Sequence, residues 1–158
     1  MKTEIRNIKH IEHLSHETHC YSATLYIDGK KIGMVSNEGH GGPDCFQGDE
    51  RAFREAESWL AENTSPVEIG GHAITMNMEI HCADLVNAHL AAKGLRSALR
   101  ASVLFQEEGS PEILQVKWKG MRKVEGSHIA AVVRDHQGAI ILNTIPFDQA
   151  LQIYRTAG

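Results

Sequence analysis

The sequence predicts an α+β fold: an antiparallel sheet opened by an N-terminal hairpin, two or three central helices, C-terminal strands and a closing helix. Three observations carry this. Residues 20–27 alternate apolar and polar and run into Asp28-Gly29, the strongest short-range hairpin signal. Two stretches between residues 50 and 93 place apolar residues at helical spacing, each behind a capping residue, Asp49 or Asn77. Near the end, Phe147, Ala150, Leu151 and Tyr154 repeat at i, i+3, i+4, i+7 behind Pro146, which suits a first helical turn. With 158 residues, 42% of them hydrophobic and 23% charged, a single domain spanning 1–158 with an ordinary core is expected.

Taken in order, residues 4–13 read as a strand, because β-branched Ile5, Ile8 and Ile11 dominate its apolar set. The hairpin follows. A two-residue turn sets Ile27 opposite Lys30, Leu25 opposite Ile32, Ala23 opposite Met34 and Tyr21 opposite Ser36, so apolar residues of both strands share a face. Continued, that register puts Cys20 opposite Asn37 and His19 opposite Glu38. Asp49 caps a helix to about residue 63, with Phe53, Ala56, Trp59 and Leu60 inward, and Thr64-Ser65-Pro66 ends it. Residues 67–75, around Gly70-Gly71, read as a loop with room for one short strand. Asn77 caps a helix over 78–93, and Gly94 is placed as its left-handed stop, with a further helical turn over 95–100. Strands are expected at 103–106, 113–118, 128–134 and 139–143.

Composition excludes several classes. No run approaches the ~18 apolar residues of a membrane helix, and Met1-Lys-Thr-Glu-Ile-Arg offers no secretion signal. Cys20, Cys45 and Cys82 are odd in number and far apart, which argues against a disulfide framework and for a reducing, cytoplasmic setting. A net charge of -4 argues against coating nucleic acid through bulk charge.

The stretch Ser36-Asn-Glu-Gly-His-Gly-Gly-Pro-Asp-Cys45 is the candidate site. Glycine lets backbone N–H groups turn toward a bound atom. Gly39, Gly41 and Gly42 could cradle an anion in this way, with His19 and His40 as polar partners and Asn37, Glu38 and Asp44 alongside. Alternatively, Glu38, His40 and Asp44 could act as acid–base groups, or the stretch is only a long turn. It is neither a Walker A loop nor a dinucleotide fingerprint.

Ten histidines are the compositional oddity. The series His10, His13, His16, His19 gathers on one face in neither strand nor helix. His16, His19 and Cys20 with His40 or Cys45 could form a zinc-like set, but no CxxC or HExxH supports it, and solvated histidines are the plainer reading. No metal or cofactor is required by the sequence. His89, among Leu85, Val86 and Leu90, reads as a core histidine, and His81 with Asp84 as a capping or surface pair. Lys117, Lys119, Arg122 and Lys123 surround Trp118. Phosphate binding is one reading, and a solvated face over a core tryptophan the preferred one.

The segment 17–42, Leu85-Val86-Asn87-Ala88-His89-Leu90 and the ending 142–151 resemble small uncharacterised proteins carried by bacteriophages, plasmids and bacterial genomes. The resemblance implies no activity and no catalytic residues. It implies a mobile-element context, in which small proteins bind a host factor or sequester a nucleotide signal. The expected function is therefore non-enzymatic binding that counters host defence, with a small anionic nucleotide or a host protein as partner. Nucleic acid and membrane are disfavoured as partners, and a homo-oligomer is compatible with the sequence. The alternatives are a metal-assisted or acid–base hydrolase using His19, Glu38, His40 and Asp44, and a plain protein–protein module.

Overall fold

The alternating stretch forms strand β2 (Cys20–Ile27), which turns at Asp28 (φ 47°) and Gly29 (φ 81°) into β3 (Lys30–Glu38). Both turn residues are left-handed, the backbone a two-residue hairpin needs. With β1 (Thr3–His10) and β4 (Cys45–Gly48), they make an antiparallel sheet in the order β1-β2-β3-β4. A computed structural model describes residues 1–157, and the fold is mixed α+β with an N-terminal sheet, central helices, further strands and a C-terminal helix.

The hairpin register departs from the expected one at a bulge. Ile27 faces Lys30 and Tyr26 faces Lys31, but then Leu25 faces Gly33, Ala23 faces Val35, Tyr21 faces Asn37 and Cys20 faces Glu38. Ile32 is the extra residue. The slip changes which side chains enter the interior: Val35 is 1% exposed and Met34 50%. It also sets Gly33 against β4, where a Cβ would lie 2.4 Å from the Gln47 carbonyl oxygen. His19 is therefore not the partner of Glu38.

The first strand ends at His10 rather than residue 13. Ser15 Oγ donates to the Ile11 carbonyl (3.0 Å) and accepts from Cys20 N–H (2.8 Å), folding 11–19 into a turn that includes a 3-10 segment, Glu12–Leu14. Ile11 is exposed and has no burial to gain from staying extended.

Helix α1 (Glu50–Asn63) starts where expected, with the Asp49 carboxylate accepting from Ala52 N–H at 3.1 Å. It buries Ala56 and Leu60, and Phe53 stacks on Phe46 at 4.3 Å. The stretch read as a loop is a small hairpin, β5 (Val67–Ile69) and β6 (His72–Ile74), turning on two left-handed glycines, Gly70 and Gly71.

Asn77 caps α2 (Met78–Ala101), its Oδ1 accepting from Ile80 N–H at 2.9 Å. Gly94 does not stop this helix. Leu95, fully buried, anchors the next turn in a cluster with Leu104, Leu142 and Ala150, and that burial outweighs the ~1 kcal/mol deficit of a mid-helix glycine. The chain separates into two units, Met1–Asn87 and Ala88 onward, so the boundary falls within α2.

In the second unit, β7 (Val103–Gln106) pairs with β8 (Ile113–Val116) and β9 (Ile140–Ile141). The expected strand over 128–134 is instead α3 (Gly126–Asp135). Glu125 and His128 cap it reciprocally, with Glu125 N–H donating to His128 Nδ1 at 3.0 Å. Ile129 and Val132, three apart, meet Val103, Phe105 and Ile141 from one helical face. A capped start plus that spacing overrides the β-propensity of the valines. Beyond β9 a 3-10 segment, Leu142–Thr144, carries Asn143, whose side chain bonds Leu99 O, Ser102 O and Leu104 N–H at 2.8–3.1 Å. The closing helix α4 (Phe147–Thr156) follows Pro146 and buries Ala150. Among the described residues no helix is long and apolar enough to cross a membrane.

Candidate functional site

The glycine-rich loop is organised by Asn37, which is 7% exposed at the end of β3. Its Oδ1 accepts from Thr18 Oγ1 and Gly39 N–H, both at 2.8 Å, and its Nδ2 donates to Gly42 O (2.9 Å) and Asp44 Oδ1 (3.0 Å). Tyr21 donates its hydroxyl to Asp44 Oδ2 at 2.5 Å. Burial and this bond push the Tyr21 phenol well above its ordinary range. Gly41 N–H reaches Thr18 Oγ1 at 3.3 Å, and the Gly39 carbonyl accepts from His16 and Glu17 N–H. Gly39 (φ 85°) and Gly41 (φ 78°) need their left-handed backbone for this path. The N–H groups of Gly39 and Gly41 thus serve protein side chains, Asn37 of the loop and Thr18 before β2.

Around the loop's outer side lies a cleft of about 480 Å³ bounded by Ser36, Glu38, His40, Cys45 and Gln47. Glu38 and His40 are exposed, and the His40 ring stacks on His16 at 5.4 Å. Asp44 is engaged by Tyr21 and Asn37. His19 belongs to a different chain of bonds: its Nδ1 is 3.2 Å from His10 Nε2, its Nε2 2.7 Å from Asn87 Oδ1, and Ser15 Oγ meets His10 at 3.2 Å. The four proposed acid–base residues are therefore not gathered, since only Glu38 and His40 line the cleft. No group of three or more His, Cys, Asp or Glu suited to a metal occurs among the described residues, so His16, His19, Cys20, His40 and Cys45 do not converge.

Two other histidines correct or refine expectation. His89 is exposed rather than in the core. His81 is half-buried, and its Nε2 is buried with no hydrogen-bond partner among the described residues. Burial lowers its pKa, with Asp84 opposing. Burial pushes the neighbouring Cys82 thiol up to about 12, which leaves it unreactive as a thiolate.

A second concavity, of about 370 Å³, lies in the unit from Ala88 onward, lined by Lys93, Arg96, Ser97, Arg100, Ala101 and Arg122. Lys93, Arg96 and Arg100 succeed one another by three and four residues along α2, so they share a face. Val124 N–H donates to Arg100 O at 3.2 Å, tying the 118–124 segment to the helix end and bringing Arg122 to the groove. Arg96 lies 4.6 Å over the Phe147 ring, which steadies its guanidinium. None of the four cations makes an ion pair among the described residues. Trp118 packs against the core and tilts on His128 at 4.8 Å, while Lys117 and Lys119 are exposed, the pattern preferred from sequence.

Only Arg122 of this groove figured among the sequence candidates. The signal was present as the 93, 96, 100 spacing, but a helix ended at Gly94 separates Lys93 from the two arginines. No family model matches the chain, and comparison with curated proteins and with solved structures gives no match either.

Proposed function

We propose that the protein is a non-enzymatic binding protein for a phosphate-bearing anion, and that the groove of Lys93, Arg96, Arg100 and Arg122 receives it. One observation carries this reading: four cations without acidic partners surround a concavity of about 370 Å³, within the ordinary size of ligand sites. Such cations form charge-assisted, often bidentate bonds to phosphate.

The loop cleft is less suited to an anion. Its Glu38 carboxylate would repel one, two of its glycine N–H groups already have acceptors, and residues 1–87 carry seven lysines and arginines against fourteen acidic residues. In the mobile-element setting that the sequence resemblance implies, capture of an anionic nucleotide would be the means of countering a host response.

Calorimetric titration with ATP, ADP and pyrophosphate tests the reading. The wild type should bind, and Arg96→Ala and Arg100→Ala should each weaken binding by about 1.5–3 kcal/mol, the worth of a hydrogen bond to a charged group. His40→Ala should bind as the wild type does. Absence of binding to every phosphate compound tried, oligonucleotides included, or loss with His40→Ala but not with Arg100→Ala, would overturn it.

A further inference from the structure

We infer that the natural occupant of this groove is the phosphodiester backbone of a nucleic acid, bound without regard to base sequence. This rests on the anion-binding reading above and names its ligand class.

The basic surface is larger than a small anion needs. Lys93 to Arg100 spans about 10 Å of helix axis at about 1.5 Å per residue. The segment that supplies Arg122 also carries Lys117, Lys119 and Lys123, all exposed. None of these three lysines makes an ion pair among the described residues, so seven cations in two segments, 93–100 and 117–123, have no acidic partner there. A nucleotide filling the groove meets four cations and leaves the three lysines without a role. A polyanion running on along the 117–123 segment uses them.

Charge is also segregated along the chain. Residues 88–158 carry nine lysines and arginines against six acidic residues, the reverse of the balance in residues 1–87. The overall charge of -4 averages over the two and conceals the basic one. Local field, not the chain total, draws in a polyanion.

The groove's composition sets the mode of binding. Its walls hold four cations, one serine and one alanine. There is no Asn or Gln to pair with adenine edges and no aromatic wall on which a base could stack. Arginine and lysine can also pair guanine edges, but with no neutral hydrogen-bonding side chain other than Ser97 beside them their contacts go chiefly to phosphate.

Fluorescence anisotropy with labelled single-stranded and duplex 20-mers of unrelated sequence, alongside titration with ATP, tests the inference. Oligonucleotide affinity should exceed ATP affinity at least tenfold and vary little with sequence. For a single strand, log K should fall against log salt with a slope of about -3 to -5, as four to seven phosphate contacts require. Lys117→Ala/Lys119→Ala/Lys123→Ala should flatten that slope by about 2 and weaken the oligonucleotide more than ATP. Circular dichroism confirms that the variants fold. If ATP binds as tightly as the 20-mer and the triple variant leaves the slope unchanged, the groove takes a small anion, and the nucleic-acid inference fails while the anion reading stands. If neither binds, both fail. Tighter binding to vesicles containing anionic lipid than to either oligonucleotide would also overturn it.

Discussion

Tyr21 and Asn37 stand directly opposite each other in the β2–β3 ladder, and both reach the carboxylate of Asp44. That pairing, created by the bulge at Ile32, fixes where the loop leaves the sheet. Asn37→Ala should destabilise the protein by about 1–3 kcal/mol, because it strands buried groups that now have partners. Urea denaturation measures this. A loss below about 0.5 kcal/mol would mean that the loop is held without Asn37.

The loop glycines should differ sharply from one another. At Gly39 an added Cβ would meet the Leu14 carbonyl oxygen at 2.2 Å, and φ is 85°. Gly42 has no heavy atom within 4 Å of such a Cβ and no left-handed φ. Gly39→Ala should cost about 1–3 kcal/mol, and Gly42→Ala should lie within about 0.5 kcal/mol of the wild type. Equal thermal stabilities for the two variants would contradict this path of the loop.

Gly94→Ala separates a helix stop from a helix interior. A left-handed stop would be strained by alanine. In the continuous α2, the new methyl meets only the Tyr154 hydroxyl, at an ordinary 3.7 Å. The substitution should raise stability by about 0.5–1 kcal/mol, the propensity gain of alanine over glycine. Thermal or urea unfolding that shows a decrease would point to a break at this residue.

Acid should weaken the fold through His81. Its folded pKa lies below the ordinary 6.5 because burial disfavours the charged ring. As pH falls, the unfolded chain takes up the proton first, so stability declines from about pH 6.5 and levels off below the folded value. The ring is only half-buried, so the slope should be shallow. Denaturation at about pH 7.5 and about pH 5.5 should show a larger loss for the wild type than for His81→Phe. An equal loss in both would assign the acid sensitivity to other groups.

What the sequence disclosed follows from how local each signal is. Asp49, Asn77, Asp28-Gly29 and the stripe around Ala150 act within one turn of chain, and each marks the element it announced. The hairpin slip was hidden because it depends on contact between Gly33 and β4, a neighbour the hairpin itself does not contain. At Gly94 the deciding partner, Leu142, lies far along the chain. At α3 the β-branched residues suggested a strand, while the decisive cap used a histidine, an unusual choice for that position. The backbone freedom of the loop's glycines was legible, and Gly39 and Gly41 use it, though Gly42 does not. That their N–H groups turn inward depends on Thr18 and Asn37, which lie on opposite sides of the hairpin.

The second bulge of the N-terminal sheet bears on how the protein behaves when crowded with its own copies. β1 is an outer strand, and its pairing is interrupted between Arg6 and Lys9, where Asn7 takes φ 55°. Arg6, paired with Glu4, and Lys9 are exposed, so the kinked edge is also charged. The opposite margin, β4, is four residues long and ends on Gly48. A twisted, charged border on one side and a very short one on the other give an incoming strand little continuous backbone to copy. This sheet is thereby guarded against the edge-to-edge stacking that seeds fibrils.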